Sequence, residues 1–515
     1  MSFLRWQDRR NSVIAPCVHC LLLRVRGWNV CWSSSQLKTL AGHLYLSAAS
    51  FSKIPRRSGK GCQDILCSDI EATCCWLGRD QVYSIFQSQV HTNDINEMNT
   101  PNEQLPILIC GAGITGPVLA YWLHRGGRKV VILERAESLR TAGQQIDIRG
   151  PAIDVVRLMG IEPTVRKATV PEKGAVIVDD EGKEWARFDA DPKAETFTAE
   201  YEIVRTDLVQ ILYDQTKSIV DYIFGDYVEK MEEKEDRVSI LLANRQEWMD
   251  FSLVIGADGL GSRTRRLAFG EDNDAFHSLG QFISYYTIPN PKPEEDHWAT
   301  FYSYAGRRNV LVRPNQRGEM AICFSIRPKD REDARRYAKA EDKKAVTREI
   351  FGDMKWKVKE LLEGLDQTEN FYCHEIAQIR LKSWSKGRVA LAGCPSPISG
   401  MGTTVGILTA YVLAGEIIAN ADHADAFRLY EDKLRAYVEN AQSTPNIKVL
   451  PNTTIADLVH PESRWGVSIF RSLLYLINKS GVIYLLAKFG AHLGSLGKGF
   501  QLPTYQFEVV SQRNE

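Results

Sequence analysis

Cysteine is scarce over most of this 515-residue chain: seven of the eleven lie before residue 76, and only Cys110, Cys323, Cys373 and Cys394 follow. That scarcity excludes a disulfide scaffold for the larger part of the chain. Cys17 and Cys20 flank His19, but no second ligand pair stands at zinc spacing, so no metal centre is expected. Net charge is also missing, with 64 basic residues against 64 acidic ones. No overall field therefore draws the chain to nucleic acid, and no zinc-finger or RNA-binding signature occurs. The tail from Trp465 to Gly494 is apolar, yet Arg471, Lys479 and Lys488 interrupt it before the roughly 18 residues a membrane span requires. Val13 to Leu23 is too short for a span. The tail is expected to form a helix pair packed on the body, with contact to a membrane surface as the alternative.

Acidic residues are nearly absent at the start. Residues 1 to 60 hold ten Lys or Arg and one acid, Asp8. Low acid with abundant Arg and Ser is the composition of a mitochondrial transit peptide. The other reading is an extended start, with Met98 opening a conventional lead-in, MNTPNEQLPILI. The expectation is that residues 1–103 form an atypical extension and that the protein is cytoplasmic, or mitochondrial or membrane-associated if the extension is genuine. The length leaves room for two or three domains with their own cores.

What the chain does contain is concentrated between residues 106 and 134, PILICGAGITGPVLAYWLHRGGRKVVILE. A short apolar run meets Gly111, Gly113 and Gly116, a helical pattern follows, and a second apolar run stops at Glu134. Gly111 permits the tight turn, Gly113 lets the backbone approach a pyrophosphate, and Gly116 lets helix and strand pack closely. The helix N-terminus faces the phosphate charge with free N–H groups and a favourable dipole. Glu134, 18 residues after the last glycine, stands where a carboxylate accepts hydrogen bonds from a ribose 2′-OH. The pattern predicts an adenine-dinucleotide site.

The rest of the chain alternates between α/β and strand-rich stretches. Strands are expected across 174–204, at Val238–Leu242 and at Phe251–Ile255, with a helix from Arg205 to Asp214 between them. Residues 276–326 are strand-rich and aromatic, 328–348 are highly charged as on a solvated helical face, and helices are expected from about Thr403 to Ala419 and from Asp425 to Asn440. An antiparallel, aromatic block set between parts of a dinucleotide fold predicts a substrate domain beside a cofactor domain. The expected division is a discontinuous cofactor domain (104–173, 205–275 and 375–445), a substrate domain (174–204 and 276–374) and a C-terminal helical segment (446–515). Tyr285, Tyr286, Trp298, Phe301, Tyr302 and Tyr304 either line an apolar pocket or fill the sheet core, because alternation turns half of such residues inward.

Two further blocks narrow the cofactor. Leu253 to Arg265 reads LVIGADGLGSRTR, a buried strand ending in a small flexible turn with one carboxylate. Gly387 to Gly393 reads GRVALAG and is followed by CPSPISGMGTT. In this order and spacing, the three blocks resemble the class A FAD-dependent monooxygenases of the para-hydroxybenzoate hydroxylase superfamily, most closely the tetracycline-inactivating and the fungal secondary-metabolism enzymes. The likeness covers about residues 104–505. It implies an α/β fold: a Rossmann-like FAD-binding domain with an inserted antiparallel substrate domain and C-terminal helices. It further implies that Gly111, Gly113 and Gly116 cradle the FAD pyrophosphate and that Glu134, with Arg135 beside it, holds the adenosine ribose. Asp147 and Arg205 match FAD-contacting positions, and Arg140 an NADPH-contacting one. Asp258 and Gly259 match a fingerprint associated with FAD and NADPH, which Ser262 and Arg265 complete. Each arginine also fits a surface ion pair: Arg205, opening a helix after a strand, favours the ligand, whereas Arg140 fits both readings equally. Gly400, Gly402 and Thr403 let backbone lie flat against an aromatic ring system and point a helix N-terminus at it, where a reduced flavin carries negative charge.

One departure stands out. The family pattern places Gly-Asp after the last apolar strand, but here Gly393 is followed directly by Cys394. The Asp expected to bond the FAD ribityl chain is missing with about three neighbours, which predicts weakened FAD binding. The implied chemistry is NADPH- and O2-dependent oxygenation of an apolar small molecule by hydroxylation, epoxidation or Baeyer–Villiger insertion, with no catalytic side chain assignable. The rivals are a flavin-dependent reductase or dehydrogenase on the same fold and a FAD-poor, inactive homologue.

Overall fold

The computed structural model describes residues 20–25, 28–33, 105–140, 143–170, 172–190, 201–270, 275–292, 297–393, 401–443, 448–450, 453–480 and 500–507. Its chain forms two units, Met1–Pro101 and Asn102–Glu515. In the first, strands Cys20–Val25 and Trp28–Ser33 pair antiparallel; Cys17, His19 and the other expectations for residues 1–103 lie outside the described residues.

In the second unit the elements around the glycine turn are, in chain order, β1 (Ile107–Cys110), α1 (Thr115–Arg125), β2 (Val130–Glu134), β3 (Gln145–Ile148), β4 (Tyr201–Val204), α2 (Arg205–Thr216), β5 (Leu253–Gly256), α3 (Arg263–Phe269), α4 (Gly402–Ala419) and α5 (Arg464–Ser480). A six-stranded sheet runs Ser385–Lys386, Val389–Leu391, β5, β1, β2, Asp221–Phe224. All its pairs are parallel except the antiparallel edge. All four residues of β1 and of β5 are buried, as strands covered on both faces must be. α1 and α4 cover one face, with Leu119, Leu123, Leu408 and Val412 in their shared core. α4 is apolar enough to cross a membrane by length and composition, with mean hydropathy 1.5, yet 83% of it is buried inside the protein. It serves as the core helix of this unit, apolar on all sides.

A seven-stranded sheet stands beside it, in the order Tyr372–Ile379, Phe276–Pro289, Glu319–Ile326, Arg308–Pro314, Trp298–Tyr304, Gly174–Val178, Glu184–Asp189. Three expectations need correction here. The sheet is mixed rather than antiparallel, because Trp298–Tyr304 pairs parallel with Gly174–Val178; those two strands are far apart in sequence, so no hairpin sets their direction. The single strand expected over Phe251–Ile255 is two. Phe251 ends a strand paired with Val238–Leu242, and after Ser252, whose N–H donates to Pro106 O, the chain enters β5 in the other sheet. A continuous apolar run shows burial on both sides of that step but not the change of partner. Third, β4 pairs with β3, and Tyr201 and Ile203 belong to the core under α1 and α4. Residues 201–204 therefore pack with the glycine-turn side rather than with the inserted block.

The aromatic block divides as alternation dictates. Tyr286, Tyr302 and Tyr304 point to the core beneath helices Arg331–Lys339, Lys343–Phe351 and Val358–Gln367, while Phe301 packs toward α5. Phe324 sits at the centre of that core, fully buried, 4.7 Å from the Phe351 ring and 6.2 Å from Tyr286. Phe324→Ala should cost about 3–5 kcal/mol of stability, since rigid neighbours cannot close the cavity. Denaturant midpoints would measure it, and a loss below about 1 kcal/mol would mean that the core collapses freely around the site.

Candidate dinucleotide site

β1 delivers the chain into the glycine turn, and neighbouring backbone enforces that turn's composition. Gly111 has φ +115°, and a Cβ there would lie 2.6 Å from the Ala257 carbonyl oxygen. A Cβ on Gly116 would lie 2.0 Å from the Gly111 oxygen. Neither position admits a side chain. Gly113 differs: the nearest atom to a Cβ would be Arg205 Nη2 at 3.4 Å. Nothing in the protein demands glycine there, so the open face at Gly113 is the part of the turn left for a ligand. α1 begins two residues later and directs its N-terminus the same way.

Glu134 closes the other side. Its carboxylate accepts from Ala112 N at 2.9 Å and from Ala136 N at 3.1 Å, which ties the end of β2 to the turn. Arg135 and Arg140 are exposed nearby. Arg205 opens α2; its N–H donates to Gln144 O at 3.0 Å, and its side chain runs against Gly143 to reach Gly113. Burial lowers its pKa, Tyr372 and Glu134 oppose that shift, and Arg140 adds to it. Among the described residues the guanidinium has no hydrogen-bond partner. A half-buried cation of this kind, aimed at a glycine turn, suits a phosphate or a ring carbonyl.

Asp147 pairs with Arg149 at 2.9 Å, and the Arg149 N–H donates to Thr404 Oγ1 at 2.9 Å, which fastens β3 to the first turn of α4. Gly402 and Thr403 begin that helix and are half-buried; Gly400 lies outside the described residues. Tyr285 OH donates to Gly143 O at 2.9 Å and Tyr372 OH to Gln144 Oε1 at 2.6 Å, their rings 5.2 Å apart. Burial pushes both phenols well above their usual range, so they act as donors. Beside Gly143 a cavity of about 450 Å3 is lined by Val204, Thr206, Thr287, Arg317 and Asn370 among others.

Asp258 sits next to Gly111, but its carboxylate is engaged locally. It accepts from Ser262 Oγ, from Arg263 N at 2.9 Å and from Thr264 N and Oγ1 at 3.1 and 3.0 Å. It thereby satisfies orphan donors at the start of α3, while Ser262 accepts from Arg265 N at 2.9 Å. Gly259, at φ +76°, supplies the left-handed residue of the turn. Arg265 donates to Leu260 O at 3.0 Å. This block shapes the surface under Gly111 and leaves no carboxylate oxygen unengaged. The sequence pattern identified the block but could not show which partner held the acid.

Sequence reading missed three threonines. Gly393, at φ +69°, donates to Thr409 Oγ1 at 3.0 Å, and a Cβ on it would lie 2.3 Å from Thr115 Oγ1. The strand end where the family Asp would follow is thus pinned between the first residue of α1 and the body of α4. Thr404 is the third, holding Arg149. Hydroxyls inside apolar helices were the available signal, and composition alone cannot separate such contacts from ordinary helix interiors.

Comparison with known proteins agrees with this geometry. The model of the FAD-binding domain family matches residues 104–445. The monooxygenase CTB7 of Cercospora beticola is 32% identical over 420 residues, covering 78% of this chain and 97% of that protein. The FAD-dependent monooxygenase asL4 of Sarocladium schorii is 33% identical, covering 73% and 92%. The crystal structure of the tetracycline destructase Tet(51) superposes with a TM-score of 0.61 at 28% identity, over 78% of this chain and 99% of that one. The Klebsiella pneumoniae HpxO structure with FAD and uric acid shares the fold, with a TM-score of 0.57 at 21% identity over 75% and 96%. The glycine turn on this topology, together with these likenesses, establishes that the chain belongs to the FAD-binding-domain family and is a class A flavin-dependent monooxygenase.

Proposed function

We propose that this enzyme uses NADPH and O2 to oxygenate an apolar small molecule in secondary metabolism, in the cytoplasm. The convergence of Gly113, Glu134, Arg205 and the Asp147–Arg149–Thr404 tie on one cradle carries the reading. In it, Gly111, Gly113 and Gly116 face the FAD pyrophosphate, with Glu134 and Arg135 at the ribose. Arg205 and Asp147 lie along the cofactor, Gly402 and Thr403 with Gly400 at its ring end, and Asp258 and Gly259 beneath it. Arg140, exposed near Arg205, is positioned to meet NADPH from solvent. Bound FAD supplies the redox chemistry, accepting a hydride and activating O2 for transfer of one oxygen atom. The protein contributes position, the dipoles of α1 and α4, and exclusion of water by the tyrosine-anchored sheet. Contact of α5 with a membrane surface is an accessory reading: Trp465, Ile469 and Leu476 are exposed on it.

A second reading has a specific observation behind it. Gly393 is followed directly by Cys394, so the cradle lacks the acid that the family uses on the ribityl chain.

Three outcomes test these readings. Under labelled O2, NADPH oxidation should yield product carrying one labelled oxygen; oxidised product without label would assign a dehydrogenase instead. Gly113→Val should fold but purify colourless, because its side chain enters the open face of the turn beside Arg205; a yellow variant would move the pyrophosphate elsewhere. Inserting an Asp-containing tripeptide after Gly393 should tighten FAD binding about 5- to 150-fold by fluorescence titration, corresponding to about 1–3 kcal/mol for a regained hydrogen bond to a charged group. An unchanged affinity would show that the shortened loop already holds the ring.

A further inference from the structure

Behind the cradle, two buried glutamate side chains stand with three half-buried charged ones, Arg313, Asp147 and Arg149. Arg313, from strand Arg308–Pro314, donates to both oxygens of Glu172, at 2.8 and 2.7 Å, and also contacts Glu202 Oε1. The Glu172 and Glu202 side chains are 2% and 3% exposed. Glu202 lies on β4 directly opposite Asp147 on β3, and Asp147 is held by Arg149. Three carboxyl groups thus meet two guanidiniums, which leaves one negative charge without compensation. Burial disfavours such a charge strongly.

The geometry identifies which carboxyl is neutral. Glu172 has both oxygens on Arg313, and Asp147 has Arg149. Glu202 Oε2 is buried with no hydrogen-bond partner. Gln145, on the same face of the β3–β4 pair, donates from Nε2 to Pro314 O at 3.0 Å, while its buried Oε1 also lacks a partner. As a carboxylate oxygen, Oε2 needs a donor that the site does not provide. As a protonated oxygen it is itself a donor, on a face that offers an acceptor.

We propose that Glu202 is a positioning residue of the flavin site, a carboxyl that carries its proton at neutral pH and so keeps Asp147 paired with Arg149. Through the Arg149 N–H on Thr404, that pairing holds the first turn of α4 against β3. The proposal rests on the reading of Asp147 as a cofactor contact. Burial pushes the Glu202 pKa up to about 8 despite Arg313, and Glu172 and Asp147 push it further in the same direction. Burial would lower Arg313, but the surrounding carboxylates outweigh it, and the bidentate Glu172 keeps it cationic whether or not Glu202 is charged. The charged groups facing Glu202 are Arg313 from the large sheet, Glu172 from the segment before Gly174, and Asp147 from β3.

Because the folded chain holds this proton more tightly than the unfolded chain, Glu202 favours folding fully at low pH. That contribution falls as pH rises from the ordinary glutamate range through about 8. The test uses the full chain with and without FAD. In apo protein, the melting temperature of Glu202→Gln should match wild type near pH 5 and exceed it increasingly toward pH 9; parallel curves overturn the bound proton. With FAD, wild-type affinity should fall about fivefold from pH 7 to 9, the equivalent of about 1 kcal/mol, while the Gln variant holds its affinity. Equal alkaline losses overturn the positioning role, which a merely structural carboxyl would not link to pH. Wild type that binds no FAD at pH 7 overturns the cofactor reading and the coupling together, and the apo curves still decide the proton. If the Gln variant does not fold, Asp147→Asn replaces it: a flatter apo curve above pH 7 supports repulsion between the two acids, and an unchanged slope overturns it.

Discussion

The approach of the Gly111 backbone to the Ala257 carbonyl is the constraint on which the site depends. It exists because β1 and β5 are parallel neighbours in register, with Cys110 O accepting from Ala257 N at 2.8 Å. Two turns that each need room then leave the sheet side by side. Only a residue without a Cβ fits at 111, and the second turn stays tight because Asp258 ties its own following helix. Once that contact is set, the direction of α1 follows, and with it the placement of Gly113, Thr115 and Gly393. A defect in the Asp258 turn would therefore be felt at the glycine turn through the Gly111–Ala257 approach.

Two kinds of polar group surround this constraint. Glu134, Asp258 and Glu172 are acids whose oxygens are taken up by backbone, hydroxyl or arginine donors, and they shape the structure. Arg205 is half-buried and Glu202 buried, and each has an unsatisfied atom or charge. The first points outward into the cradle and awaits a ligand; the second faces inward and is stabilised by a proton. Buried polar atoms without partners are uncommon in folded proteins, and among the described residues Glu202 Oε2 and Gln145 Oε1 are two of them on one face of the β3–β4 pair.

The glycine turn, the acid at the end of β2 and the three-block order were legible because their physics is local: φ above zero, helix dipole, short separations. Arg205 was legible because it opens a helix directly after a buried strand. The split at Ser252, the parallel entry of Gly174–Val178 and the attachment of β4 to β3 were not, since each is a choice of partner made across more than a hundred residues or between two sheets. The same holds for Tyr285: alternation turns half of the aromatic block inward, but only the register decides which half, and Tyr372 stood outside that block. Thr115, Thr404 and Thr409 were invisible for a different reason. A hydroxyl in an apolar helix looks alike whether it bonds its own turn or another strand.

The anchoring of Gly393 separates two properties that usually travel together. Its N–H on Thr409 and its contact with Thr115 end the strand firmly, before Cys394 and the loop that follows. The sheet, α1 and α4 are thus completed by residues that are all present. If the short connection after Gly393 weakens flavin binding as proposed, expression level, solubility and cooperative melting would be blind to it, and colour would be the property that reports it.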